Sequence, residues 1–490
     1  MAPSETPQLP LPRVMPRGWA LLTQERPRPG RIRDHAWAWR LAVATVCFGA
    51  FMGQLDATIV TLTYQALGRQ FHAGPAAVEW VSLAYLLTLV ALLVPVGRFS
   101  DAHGRKLMYL YGFGVFTLAS AACGLAPTLA ALVAFRVVQA VGAALMQANS
   151  VALVTTSAPR ERMRTALGMQ AAGQAIGLAL GPTVGGALVA TLGWRWVFLV
   201  NVPVGIVSLI AGHYLLPRTR QRRTGTRVDG VGVLLLALTS TSLMLGLSVF
   251  SGLGWPLWSA AVLAVATVLA GWLLIRRQRT SAQPLVDLSL LRSRPGRPGI
   301  GLGLLSGLCG YLVLFGPLVL VPVVLSRQGV GVMTSGVVLT ALPLGFALAA
   351  TTADRLLPRG LDDHRRAFLG TALTVAALAL LTVLPMTTTV LPLVLVLLGL
   401  GLGVFTPANN TLVMGAIPAE SAGTGGGMVN MGRGLGTALG VAAVTLMLHV
   451  VPGMSGERAA AAVLLAFGLL MIPAGRIGGK SGARWVRRSA

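Results

Sequence analysis

Residues Gly173 to Gly205 read GQAIGLALGPTVGGALVATLGWRWVFLVNVPVG. Glycines at 173, 177, 181 and 185 recur every four residues, with Gly186 beside the last, so on a helix they stack along one face. A bare stripe of this kind lets a second helix approach backbone to backbone, and its apolar surroundings place that approach in a bilayer. Pro182, directly after Gly181, removes one backbone hydrogen bond and predicts a bend there. The expected partner of the stripe is a helix from the opposite half of the molecule, against which this helix slides or bends.

Composition agrees with a membrane setting. Of 490 residues 54% are hydrophobic and 11% charged, and the mean hydropathy is +0.74. That leaves too few polar residues to cover a water-soluble globule of this size. The formal net charge of +25 and the isoelectric point near 11.7 would suggest nucleic acid for a soluble chain, so the location of the charge has to decide. Cys47, Cys123 and Cys309 each sit alone inside apolar runs, a spacing that excludes a disulfide framework or a zinc cluster.

After Arg40 the chain alternates apolar runs of about 20 residues, each long enough to cross a bilayer as a helix, with short polar breaks. Fourteen are expected: 41–63, 78–96, 107–126, 130–154, 166–190, 196–216, 231–250, 256–275, 300–325, 335–353, 367–386, 390–414, 425–449 and 458–474. The reading is an all-α integral membrane protein of fourteen transmembrane helices. Residues 1–40, rich in Pro and Arg with no apolar core, read as a disordered cytoplasmic tail and not as a secretory signal.

With both termini inside, 33 of the 39 Lys and Arg fall in segments facing the cytoplasm. Arg69, Arg195, Arg327 and Arg458 lie outside, and Arg136 and Arg433 within helices. This is the positive-inside distribution, which accounts for the charge without nucleic acid. The basic loops 217–227 and 276–297 lack interleaved aromatics and read as solvated faces beside anionic lipid.

A shift of 259 positions lays Gly432, Gly436 and Gly440 on Gly173, Gly177 and Gly181. The same shift matches Pro418 to Pro159, Glu420 to Glu161, Thr424 to Thr165, Gly427 to Gly168, Met428 to Met169, and Ala438–Leu439 to Ala179–Leu180. Ten identities at one offset predict a duplicated architecture. Eight helices separate the matched pair where two six-helix halves need six, so two are extra. The expected layout is a six-helix half over 41–216, basic loops and two inserted helices over 217–299, a second six-helix half over 300–474, and a basic cytoplasmic tail over 475–490.

Several motifs now carry a resemblance. GRFSDAHGRK, Gly97 to Lys106, resembles the loop between helices 2 and 3 of the major facilitator superfamily, and RVVQAVGAA, Arg136 to Ala144, resembles its helix 4 motif with Ala140 in place of a glycine. The opening stretch is similar to the GPxxGG motif of exporters, and WRWVFLVNVPVG, Trp194 to Gly205, to a segment of the fourteen-helix drug:proton antiporter branch. LDATIV, Leu55 to Val60, matches that branch's helix 1 motif at its start, but Thr61 and Gln65 replace an expected Asn and Pro. With AGTGGGMVNMGRGLGTALGVA from Ala422, the resemblance runs from helix 1 to helix 13. It implies proton-coupled export of amphipathic organic compounds from a bacterial cytoplasm, by a monomer whose partners are the small-molecule substrate, protons and the bilayer.

The residues themselves point to the same places. Asp56 is the one carboxylate expected well inside a helix, where burial is costly unless the group is paired, hydrated or protonated. At roughly 1.5 Å per residue, Asp56 in helix 1 and Arg136 in helix 4 lie at a similar depth, about 10 Å below the outer surface. Proton exchange at Asp56 tuned by Arg136 is one reading, a static ion pair the other. Glu79, at the outer edge of helix 2, is a weaker proton-site candidate. By resemblance, Asp101, Arg105 and Lys106 latch neighbouring helix ends in the outward-facing state, in a loop where Gly97 and Gly104 permit sharp turns; the second-half counterpart is reduced to Asp354 and Arg355. Gln54, Gln139, Gln147, Asn149, Gln170, Gln174, Asn409, Asn430 and Arg433 are cavity candidates, with helix packing as the alternative for about half of them.

AGRIGGKS, Ala474 to Ser481, fits a loosened phosphate-loop pattern with no strand before it, so ATP is not implied. No nucleophile triad or His/Cys/acid cluster points to an enzyme, a cofactor or a metal, and a proton gradient is the expected energy source. Competing readings are a dedicated exporter of a self-made metabolite, a substrate:proton symporter, and a membrane receptor or scaffold.

Overall fold

The computed structural model describes residues 25–33, 35, 37–219, 229–250, 255–281, 283–291, 300–358, 360–451 and 453–471. All fourteen apolar runs are helical: α1 (Ala38–Phe71), α2 (Pro75–His103), α3 (Arg105–Gly124), α4 (Leu129–Ser157), α5 (Met163–Thr191), α6 (Arg195–Leu215), α7 (Gly230–Phe250), α8 (Leu257–Thr280), α9 (Gly301–Arg327), α10 (Val332–Leu356), α11 (Asp363–Val383), α12 (Val390–Gly415), α13 (Ala422–Val450) and α14 (Met454–Leu470). Start signals fit the chemistry of helix ends. Thr128 accepts from the Ala131 N–H ahead of α4, and Asp362 accepts from the Arg365 N–H ahead of α11.

Among the described residues, twelve helices are long and apolar enough to cross a membrane, and up to thirteen if the two bent segments of α5 count as one span. The expected fourteenth falls short among the described residues, where α14 has 17 residues against the roughly 20 a span needs. The fourteen-span count is therefore not shown. The phosphate-loop-like Ala474–Ser481, the tail over 475–490, residues 1–24 and most of the loop over 217–227 lie outside the described residues.

The duplication is visible in the backbone. One-turn helices at Arg160–Arg162 and Ala419–Ser421 lead into α5 and α13, and each boundary of the first pair falls on the second at the 259-residue offset. α5 packs along α1 and α13 along α9, while α5 also meets α10 and α12, and α13 meets α2 and α4. Each duplicated helix thus belongs to its own half and lines the seam with the other. Ala171, Ala172 and Ala175 of α5 are buried in a core otherwise built from α9 to α14. α7 and α8 pack on each other, with α7 against α2 and α13, and the outer faces of the pair, including Val262, Val265 and Val268, remain exposed as lipid-facing residues would be.

The glycine stripe does not face the opposite half. A Cβ at Gly173 would lie 3.2 Å from the carbonyl oxygen of Cys47, one at Gly177 2.6 Å from that of Phe51, and one at Gly185 2.5 Å from Ile59, all on α1; Gly181 backs onto Thr58 of the same helix. Gly436 and Gly440 back onto the carbonyls of Leu308 and Leu312 on α9, Gly432 sits a looser 3.7 Å from that of Leu304, and Gly186 faces open space. Close backbone approach holds each half together, and the seam uses other glycines: Gly168 against Ala350, and its counterpart Gly427 against Leu93. The segment Arg160–Gly181, which joins the preceding one-turn helix to the first part of α5, makes an angle of 41° with Thr183–Thr191, with Pro182 at the break.

Two further expectations need correction. Gly97 to His103 form the last turns of α2 rather than a loop, and Gly97 matters because a Cβ there would overlap the backbone of Gly423. Only Gly104, at φ 111°, makes the turn. Residues 25–33 are not a disordered tail: Glu25 is buried and accepts from the Thr219 N–H at 2.7 Å, the Thr219 hydroxyl at 2.8 Å and the Leu107 N–H at 3.2 Å.

Candidate functional site

Asp56, near the middle of α1, is fully buried, and Arg136 on α4 is 1% exposed. The Arg136 Nη1 donates to Asp56 Oδ2 at 2.7 Å. Gln139, one turn along α4, donates to Asp56 Oδ1 at 3.1 Å, and Asn201 of α6 donates to the same oxygen at 3.0 Å. Arg136 spends its other donors on the Val81 carbonyl at 3.0 Å and the Gln139 Oε1 at 2.7 Å, with its guanidinium 4.0 Å from the Tyr85 ring centroid. Ser120 of α3 donates nothing to Asp56 but accepts from Gln139 Nε2 at 2.8 Å, fixing that amide. Five helices therefore contribute to one cluster, in which the Asp56 carboxylate accepts three hydrogen bonds from side chains of α4 and α6.

Asn201, Ser120 and Tyr85 are members of this cluster that reading the sequence does not single out. Asn201 was visible as the one amide within VFLVNVPVG; Ser120 and Tyr85 carry no signal of their own. Glu79 is half-buried two residues before Val81 on α2, outside the cluster.

A second constellation joins the halves at the end of the bundle that carries Gly97–Lys106, called here the basic end. Asp101 accepts from the Gly423 N–H at 2.7 Å, the Thr424 N–H at 2.8 Å and the Thr424 hydroxyl at 2.7 Å, at the N-terminus of α13, where the helix dipole favours a carboxylate. Arg105 pairs with Asp101 at 2.8 Å and donates to the Ala419 carbonyl at 2.6 Å. Lys106 instead caps the end of α6, donating to the His213 and Leu216 carbonyls, and holds the Arg26 carbonyl. On the other side of the seam Asp354 accepts from the Thr165 hydroxyl at 2.6 Å and pairs with Arg164 at 2.7 Å and Arg366 at 3.1 Å; Arg164 also reaches Asp363 at 2.7 Å. The counterpart that looked reduced in sequence is thus built from Asp354 and three partners, with Arg355 outside it.

The cavity candidates divide. Asn149 donates to Ser100, Gln170 to Ser150 and Asn409 to the Gly303 carbonyl, each within its own half, and Gln139 belongs to the Asp56 cluster. Asn430 bridges the seam, donating to the Gln147 carbonyl at 2.8 Å. Gln54 and Gln147 are half-buried, Gln147 packing against Gly53. Gln174 and Arg433 are buried with side-chain polar atoms that have no hydrogen-bond partner.

The chain is similar in sequence to the methylenomycin A resistance protein of Streptomyces coelicolor, 30% identical with 96% of this chain and 97% of that protein covered. It is 32% identical to the tetracenomycin C resistance and export protein of Streptomyces glaucescens, over 85% of this chain and 77% of that one. In fold it resembles the human organic anion transporter MFSD10 (TETRAN), with a TM-score of 0.65 at 18% identity, covering 89% of this chain and 99% of that one. Residues 46–441 match the model of the Major Facilitator Superfamily, and this chain belongs to that family.

Proposed function

We propose that this transporter is a proton-coupled exporter of amphipathic organic compounds such as antibiotics, working as an antiporter by alternating access. The observation that carries the reading is the Asp56 carboxylate, buried at the end of a donor network yet placed in a bundle of two duplicated halves that close on each other at one end. The names of the two Streptomyces relatives, a resistance protein and a resistance and export protein, support the direction of transport. The finer picture is a monomer of fourteen spans in the cytoplasmic membrane, with the basic end and both termini in the cytoplasm.

The geometry suggests how coupling works. With the basic end latched, ionised Asp56 is neutralised by Arg136 and the site is dry. When the opposite end opens, water reaches the pair and the carboxyl takes a proton from the outer side. When the basic end opens instead, the proton leaves to the cytoplasm and the carboxylate regains its donors, because an unpaired carboxylate in a low-dielectric site is costly. Substrate displaces the proton in one orientation and is displaced by it in the other. Arg136 keeps Gln139 and Val81 as acceptors while Asp56 is protonated, so the guanidinium is never stripped of partners.

Inverted membrane vesicles carrying the protein and energised by respiration test this. Methylenomycin A, tetracenomycin C and a panel of other antibiotics are added while the interior acidity is followed with a weak-base dye. Export coupled to proton entry predicts partial collapse of the gradient by at least one compound, absent in vesicles without the protein. Substrate movement with no effect on the gradient contradicts the coupling.

A further inference from the structure

Arg433 is the twelfth residue of α13, and the 259-residue offset places it on Gln174, the twelfth residue of α5. At roughly 1.5 Å per residue it lies about 17 Å from the helix start at the basic end, too deep for its side chain to reach that surface. It is 7% exposed, and its Nε and Nη1 have no hydrogen-bond partner. Its guanidinium lies 4.7 Å from the ring centroid of Tyr311, which offsets part of the cost of a buried cation but leaves the in-plane N–H donors unused. No carboxylate among the described residues pairs with it, and the one acid at comparable depth, Asp56, is committed to Arg136.

Asn430, three residues earlier and so on the same face of α13, donates both amide hydrogens to the carbonyls of Gln147 and Gly426, which leaves its Oδ1 as a buried acceptor without a partner. The Oε1 of Gln174 across the pseudo-symmetry axis is likewise buried and unpartnered. Donors and acceptors are both unsatisfied on the seam helices and do not satisfy each other. Buried groups of this kind call for a further molecule carrying the complementary groups.

We infer that Arg433 is the anchor of the substrate site and that the substrate is an organic anion: a carboxylate or ionised enol or phenol held by the Arg433 guanidinium, on a scaffold with hydroxyl or amine donors for the side-chain oxygens of Gln174 and Asn430. A cationic compound would meet an uncompensated positive charge there. This deepens the export reading by naming its substrate class, and it rests on that reading only for the direction in which the anion moves.

Two dyes with one ring system and opposite charge test it: fluorescein, anionic above neutral pH, and rhodamine 123, a cation. Binding to the purified full-length protein in detergent is followed by fluorescence anisotropy, which does not depend on proton coupling. Wild-type protein should prefer fluorescein. Arg433→Gln should weaken fluorescein by roughly tenfold or more, the worth of a charge-assisted hydrogen bond, and leave rhodamine 123 unchanged or tighter; Arg433→Lys, which keeps the charge and loses the planar fork, should fall between. Equal affinity for the two dyes, no fluorescein binding by wild-type protein, or unchanged fluorescein affinity in a monodisperse Arg433→Gln protein overturns the inference. Fluorescein binding through Arg433 without any proton-coupled flux would leave the site standing and sink the export reading instead.

Discussion

Thr165 and Thr424 occupy the same place in the two halves, and each gives its hydroxyl to an aspartate of the other half: Thr165 to Asp354 at 2.6 Å, Thr424 to Asp101 at 2.7 Å. The seam at the basic end is therefore closed by a duplicated device, although the sequences around the two aspartates have diverged. Each hydroxyl-to-carboxylate bond is worth about 1.5–3 kcal/mol, roughly a tenfold to hundredfold shift between closed and open forms. Thr165→Val or Thr424→Val should each open the basic end by about that factor, and the double variant by the product. A cysteine at buried Ala152, where α4 meets Gly426 of α13, in a background lacking Cys47, Cys123 and Cys309, reports the opening by its maleimide labelling rate. Unchanged labelling in both variants would show that the threonines do not hold the seam.

Glycine at 177 is a packing requirement, whereas glycine at 186 is not. A Cβ at Gly177 meets the Phe51 carbonyl at 2.6 Å, and nothing lies within 4 Å of one at Gly186. Gly177→Leu should cost about 1–3 kcal/mol through overpacking and lower both the melting temperature in detergent and export. Gly186→Leu should leave both near wild type. Equal behaviour of the two variants would remove the stripe from the account.

Glu25 ties the segment before α1 to the start of α3 and the residue Thr219 beyond α6. Glu25→Ala should remove about 1.5–3 kcal/mol of charge-assisted bonding and lower the melting temperature, with transport tested separately. A melting temperature equal to wild type would mean that the segment rests on the bundle without supporting it.

Asp229, just ahead of α7, is held below the usual carboxylate range mainly by its hydrogen bond from Arg277 of α8, with help from the Gly232 N–H. A depressed carboxyl contributes stability above its unfolded pKa of about 3.9 and loses it as pH falls through the folded value. The stability gap between wild type and Asp229→Asn should therefore be full at neutral pH and shrink in acid. A gap independent of pH would assign the effect to something other than the ion pair.

Helix placement was legible because apolar runs separated by Arg-rich breaks leave little choice of boundaries, and the offset of 259 carried over to the backbone without a shift. What the stripe faces was not legible: spacing of four shows that a partner comes close, but not which helix it belongs to. Asp56 and Arg136 could be matched by depth alone, since both count inward from the same surface. Asn201, Ser120 and Tyr85 join them only through the fold, as polar groups on three further helices whose sequence neighbourhoods are ordinary. The fourteenth span is not shown, because the apolar run of α14 continues into residues 472–474, outside the described residues.

The central claim is that Asp56 carries the proton, and the most direct test separates coupling from movement in one preparation. Proteoliposomes with wild-type or Asp56→Asn protein are loaded with a compound the wild type transports, then assayed for counterflow without a gradient and for uphill accumulation under an imposed pH gradient. The account predicts that Asp56→Asn retains counterflow and loses uphill accumulation. Wild-type accumulation by Asp56→Asn would contradict it.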